Sequence, residues 1–177
     1  GNLAGLPTET VYGLAGNAYS KKAIKKIFKL KKRPNYNPLI IHYHSIKSAK
    51  KDVILNSNFF KLYKKYCPGP LTFVLKKTKK TRINQLATAK LKTVAIRFPK
   101  HKIIREILKV TDFPLAMPSA NLSSGLSPIT AIDVHKEFKK KLNIIINGGK
   151  SKIGIESTVI DLTEKPKILR PGIKILG

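Results

Sequence analysis

The chain reads as a single α/β domain, and three observations predict it. Short apolar runs of strand length alternate with amphipathic helical stretches, the element order of α/β and mixed-sheet proteins. The 177 residues are 42% hydrophobic, enough for one continuous core. No Pro/Ser-rich linker and no internal repeat divides the sequence.

The chain enters a strand-like segment almost at once, and it opens on Gly1 rather than Met, so upstream residues are expected to have been lost or trimmed. Ser20 is placed to cap a helix whose apolar stripe is Ala23, Ile24, Ile27, Phe28 and Leu30. Lys21, Lys22, Lys25, Lys26 and Lys29 then face outward, and Pro34 ends the helix. Residues 38–43 read as a short buried strand, and 46–51 and 58–66 as helices. Pro68, Gly69 and Pro70 force a turn into a strand at 72–75. A basic segment at 76–92, expected to be exposed, separates this strand from one at 94–98. A helix at about 101–110, a strand at 115–117 and a helix at 131–141 capped by Thr130 follow. Later strands are expected at 144–146, 158–162 and 168–169.

Composition narrows the function. Lysine and arginine number 36 against 9 acidic residues, a net charge of +27, and such a field attracts phosphate-bearing partners, nucleotides or RNA. Lysine supplies most of it, so a compositional bias with solvated outer faces explains the same number. Cys67 is the only cysteine, which excludes an intramolecular disulfide and a multi-cysteine zinc site. No apolar run approaches the ~20 residues that span a bilayer and no signal-like segment opens the chain, so a cytoplasmic protein is expected.

Several short segments carry chemistry. Lys31 and Arg33 sit where the first helix runs out, before an extended stretch ending in Asn37 and Pro38, and a lysine with an arginine fork suits a polyphosphate. Cations at a helix C-terminus also simply complement its dipole. Ser119 and Asn121 follow an apolar strand, where short polar side chains line ligand crevices in α/β sheets, although an ordinary hydroxyl or Asx turn has the same pattern. Asn121, Leu122 and Ser123 also match a glycosylation acceptor, with nothing to indicate secretion. Pro7 to Thr10 bring two hydroxyls and a carboxylate ahead of Gly13 and Gly16, which permit close backbone approach; a solvated loop is the competing account. Thr72, after the rigid turn, can bond a phosphate or ribose or merely begin a strand. Gly149, Lys150 and Ser151 do not end a P-loop, because Ile144 occupies the position of its first glycine. His42, His44, His101 and His135 have no metal-ligand spacing; His42, ending an apolar strand, is the one placed to reach a site.

Taken in order, PTETVYGL, KKRPNYNPL, PGPLTF, VAIRFP, PSANLSSG, GIESTVIDL and LRPG resemble the YrdC-like L-threonylcarbamoyladenylate synthase family, from about Leu6 to Gly172. The resemblance implies a YrdC-like twisted mixed β-sheet with flanking helices around a basic concave cavity. It implies the reaction of L-threonine, bicarbonate and ATP with Mg²⁺ to L-threonylcarbamoyl-AMP and pyrophosphate, for adenosine 37 of ANN-decoding tRNAs, the final transfer falling to separate proteins. By the same resemblance Thr10, His42, Arg97 and Ser157 surround threonine or its carbamate, and Arg33, Asn37, Thr72, Ser119, Asn121 and Arg170 hold ATP. Lys31 completes the phosphate-facing set, so that Lys31, Arg33, Ser119 and Asn121 form the expected catalytic group, with no protein-bound metal.

The family's helix before the first strand is missing here, and so is the second, C-terminal domain of some members. Residues 1–177 are therefore expected to be either a single-domain form or the excised catalytic domain of a longer protein. Two other classes compete: a module of the same fold that binds tRNA or double-stranded RNA without making the adenylate, and part of a carbamoyltransferase of the hydrogenase-maturation type. The latter would carry zinc-finger and acylphosphatase regions, which this sequence lacks.

Overall fold

Eight short strands form one mixed sheet in a computed structural model that describes residues 1–173; the last four residues of the expected 1–177 domain lie outside the described residues. The strands are β1 (Ala4–Leu6), β2 (Gly13–Asn17), β3 (Ile40–His42), β4 (Leu71–Lys76), β5 (Thr93–Arg97), β6 (Leu115–Ala116), β7 (Thr158–Asp161) and β8 (Lys167–Arg170). They lie in the order β1-β2-β6-β3-β5-β4-β7-β8, parallel at β3/β5 and β4/β7 and antiparallel elsewhere. The helices are α1 (Lys21–Lys31), α2 (Ile46–Ala49), α3 (Ser57–Tyr66), α4 (Lys102–Val110) and α5 (Ala131–Phe138).

Register matters most for function. Leu115, His42, Arg97, Thr72, Val159 and Arg170 stand opposite one another across β6, β3, β5, β4, β7 and β8. Directly opposed residues of neighbouring strands project to the same face. One row of pairing thus carries His42, Arg97 and Thr72, 55 and 25 residues apart in sequence, to one end of one face.

Helices cover both faces. Ile24, Ile27 and Phe28 of α1, Phe59 of α3 and Val134 and Phe138 of α5 join the main core, while Ile104 and Leu108 of α4 pack with Leu6, Ala15, Leu115 and Met117. Leu14 belongs to the first cluster and Ala15 to the second, as strand alternation demands of a sheet covered on both sides. Phe59 meets Phe73 edge-on at 4.9 Å and Tyr63 meets Phe98 at 5.0 Å, which ties α3 to the strand ends that bear Thr72 and Arg97.

Local chemistry explains α1. Ser20 Oγ accepts from Ala23 N at 3.2 Å, and the left-handed Lys32 (φ 52°) turns the chain out of the helix before Pro34. Its buried stripe is Ala23, Ile24, Ile27, Phe28 and Lys31, so the sequence-predicted stripe is corrected at its end. Lys31 continues the spacing from Ile24, Ile27 and Phe28, whereas Leu30 is only half-buried.

Four other expectations are corrected. Residues 144–146 are not a strand: β1 offers only three residues, and a single parallel bridge, Gly5 to Ile145, forms against it. The helix expected over 131–141 stops at Phe138, and a 3-10 turn at Lys139–Lys141 then lets Leu142 reach the core. The segment 76–92 is not simply exposed, since Ile83, Ala87 and Thr88 are buried around a 3-10 turn at Gln85–Thr88 capped by Asn84. Residues 7–12, for which a solvated loop was the competing account, are buried and lead into β2, a strand the apolar pattern did not reveal because two of its five residues are glycine.

Candidate active site

A cleft of about 240 Å³ lies where β3 and β5 end and β4 and β7 begin. Thr10, Arg33, Asn37 and His42 line it from one part of the sequence, and Arg97, Ser119, Ser157 and Arg170 from another. The structure thus brings these sequence-predicted residues together. Lys31, Thr72 and Asn121 stand behind the lining, where they hold residues that form it.

Arg97 is the most constrained cation on the cleft lining among the described residues. It is 4% exposed, pairs with Glu9, and donates from Nη1 to Thr10 Oγ1 at 2.8 Å and from Nε to Gly69 O at 3.2 Å. Burial pushes its guanidinium down to about 9, Arg170 adding to the effect and Glu156 opposing it. Thr10 is fixed in turn by Thr8 Oγ1 at 2.9 Å, and the carbonyls of Glu9 and Thr10 accept from Ile153 and Gly154, which draws the chain leading to Ser157 onto the same wall.

Thr72 and Ser157, both buried, share a hydroxyl hydrogen bond of 2.7 Å. Arg170 reaches over them: Nη2 and Nε donate to Ser157 O at 2.8 and 3.1 Å, and Nη1 pairs with Glu156 Oε2 at 2.6 Å. Arg33 folds back on its own loop, donating to Asn37 O at 2.9 Å and Pro38 O at 2.7 Å. Burial lowers its pKa, with Arg170 adding to the shift and Glu156 opposing it. His42 is buried with Nδ1 3.2 Å from Ile40 O, and burial pushes it down to about 4, so it is neutral at pH 7.

Lys31 does not face the cleft beside Arg33. It is 1% exposed, and its ammonium donates to Ser119 O at 2.6 Å, to Asn121 O, and to Asn121 Oδ1 at 3.3 Å. Burial first, then Arg33, pushes it down to about 8. Leu14 N to Pro118 O and Ala120 N to Tyr12 O pin the same loop from β2 and the residue before it. Asn121, 5% exposed, also donates from Nδ2 to Gly125 O at 2.8 Å. The structure therefore shows Lys31 as a clamp on the Ser119–Asn121 loop.

Two carboxylates escaped the sequence-predicted set. Glu9 carries the Arg97 pair and accepts from Lys100 N; among the described residues Glu156 is the sole carboxylate on the cleft lining. The available signal was scarcity, because a chain with 9 acidic residues places these two inside the segments 7–14 and 154–162.

A larger hollow of about 530 Å³ lies between α1 and α5, where Lys26, Lys29, Lys32 and Lys141 surround Leu30 and Leu122. No sequence-predicted site residue lines it. Among the described residues there is no group of three or more His, Cys, Asp or Glu able to hold a metal, and no helix is long and apolar enough to cross a membrane.

A mixed α/β sheet whose strand ends gather three arginines, hydroxyls and, among the described residues, one carboxylate around a small cleft has the chemistry to hold a small anionic ligand, the layout of α/β binding proteins and enzymes. The family model Sua5/YciO/YrdC, described as telomere recombination, matches residues 1–172, and the chain belongs to that family. It is 45% identical over 97% of its length to the threonylcarbamoyl-AMP synthase of Pyrococcus abyssi, of which it covers 51%, and 40% identical over 96% to that of Bacillus subtilis, of which it covers 49%. Among solved structures, P. abyssi Sua5 complexed with L-threonine superposes with a TM-score of 0.93 at 44% identity, covering 97% of this chain and 50% of that one. The chain spans about half the length of these relatives.

Proposed function

We propose that the chain catalyses L-threonylcarbamoyladenylate synthesis: L-threonine, bicarbonate and Mg-ATP give L-threonylcarbamoyl-AMP and pyrophosphate. The product serves threonylcarbamoylation of adenosine 37 in ANN-decoding tRNAs by separate transfer proteins, in the cytoplasm. The observation that carries this reading is the convergence of Arg33, Arg97 and Arg170 with Thr10, Ser119 and Ser157 on one cleft. The kinship to synthases that cover this chain almost end to end supports it.

The chemistry divides among these residues. The threonine carboxylate takes the Arg97 side of the cleft, near Thr10, His42 and Ser157, where a fixed guanidinium offers a planar fork. The triphosphate takes Arg33 and Arg170, with Asn37 and the Ser119 loop beside it, and Mg²⁺ arrives as part of the substrate. Lys31, Thr72 and Asn121 act by holding Ser119 and Ser157 in place. Carboxylation of the threonine ammonium with bicarbonate yields the carbamate, water and the proton that the nitrogen must shed before it attacks. A carbamate oxygen then attacks the α-phosphorus and pyrophosphate leaves. Positioning and charge neutralisation supply most of such a transfer.

The test is incubation of the purified chain with Mg-ATP, bicarbonate and L-threonine, followed by mass spectrometry for threonylcarbamoyl-AMP, with each substrate omitted in turn. Product that depends on all three is the expected result. A folded chain that binds RNA in a salt-dependent way and forms no adenylate would overturn the reading in favour of the binding module.

A further inference from the structure

We infer that Glu156 is a partner-exchanging residue: it pairs with Arg170 and trades that partner for the ammonium of L-threonine when a triphosphate takes Arg170, so that nucleotide binding sets the affinity for the amino acid. The inference rests on the synthase reading of the cleft.

The charges of the cleft lead to this exchange. Among the described residues its lining carries Arg33, Arg97 and Arg170 against one carboxylate, Glu156. L-Threonine brings an ammonium as well as a carboxylate, and among the described residues Glu156 is the only lining group of the right sign to meet it. Glu9, the other nearby carboxylate, is committed to buried Arg97 and to Lys100 N. Glu156 also directly precedes Ser157, whose buried hydroxyl and carbonyl already serve Thr72 and Arg170.

The Glu156–Arg170 pair is built to be broken. Its side chains are 34% and 38% exposed, where an ion pair contributes little. Apart from Arg170, Glu156 has one long contact among the described residues, Ser127 Oγ to Oε1 at 3.4 Å. Arg170 by contrast is anchored to Ser157 O through Nε and Nη2, so it keeps its place while Nη1 changes partner. A triphosphate outcompetes a single carboxylate for that Nη1, and the released carboxylate remains on the wall where the amino acid sits. By linkage, threonine tightens the nucleotide by the same factor.

The experiment is calorimetric titration of L-threonine into the folded chain without bicarbonate, in the absence and presence of saturating Mg²⁺ and α,β-methylene-ATP, whose α–β link resists cleavage. The expected result is threonine binding about tenfold tighter with the nucleotide present. Glu156→Gln should bind the nucleotide at least as tightly as the parent chain yet lose that coupling, and Glu156→Asp should recover part of it. Binding of both ligands without coupling, or coupling that survives Glu156→Gln, overturns the exchange and leaves the synthase reading intact. A folded parent chain that binds neither ligand overturns both.

Discussion

Replacing Glu9 by glutamine should destabilise the protein by about 3–5 kcal/mol, the range for removing one partner of a buried ion pair. The magnitude follows from burial: Arg97 is 4% exposed and Glu9 7%, and no other carboxylate pairs with Arg97 among the described residues. Glu9→Gln leaves the guanidinium with neutral acceptors only, Thr10 Oγ1, Gly69 O and the amide oxygen of the new side chain, and no buried counter-charge. Arg97→Met instead strands the carboxylate with only Lys100 N as a donor, and should cost about as much. The double variant removes both charges together and should be more stable than either single one by about 2 kcal/mol, because a neutral pair carries no unmet charge. Urea denaturation of the four proteins at pH 7 measures all three differences. For a domain of this size, a loss of 3–5 kcal/mol lowers the melting temperature by roughly 10 °C. Additive single effects, or a Glu9→Gln protein within about 1 kcal/mol of the parent, would refute the idea that Glu9 keeps Arg97 charged and fixed inside the fold.

Other predictions address separate links. Arg33→Ala should abolish ATP-dependent turnover while the circular dichroism spectrum stays unchanged, since the side chain bonds only its own loop carbonyls; normal activity would remove Arg33 from the nucleotide site. His42, pushed down to about 4 by burial, binds its proton less readily folded than unfolded, so stability is full above pH 6.5 and declines as pH falls towards 4, by about 3 kcal/mol in all. Urea midpoints measured across that window should lose this slope in His42→Gln, and an unchanged slope would assign it to another group. Asp52 is 1% exposed and accepts from Tyr19 and Tyr43 hydroxyls at 2.7 and 2.8 Å, from Thr81 Oγ1 at 2.8 Å and from Arg82 N at 3.1 Å. Asp52→Asn turns a donor towards donors and should cost about 2–4 kcal/mol by chemical denaturation; a loss below about 1 kcal/mol would mean that the carboxylate does not organise these segments.

The α/β class and the order of most elements were legible in the sequence, and the resemblance of its ordered motifs named much of the cleft lining, though not Glu156. Those features are local or linear: the stripe of α1, the cap at Ser20, the proline turn before β4, and polar residues placed where apolar runs stop. Tertiary structure alone decided what the residues do to one another. Register across separate strands sets Arg97 between His42 and Thr72, a relation between distant segments that no periodicity expresses. Lys31 reads as a helix-end cation until the fold turns it onto the Ser119 and Asn121 carbonyls, Glu9 acquires meaning only once Arg97 arrives from a strand far along the chain, and Glu156 only once the β7–β8 pairing brings Arg170 back over it. Propensity and capping act within a few residues, whereas burial and charge pairing depend on which segments meet, and only the folded chain settles that.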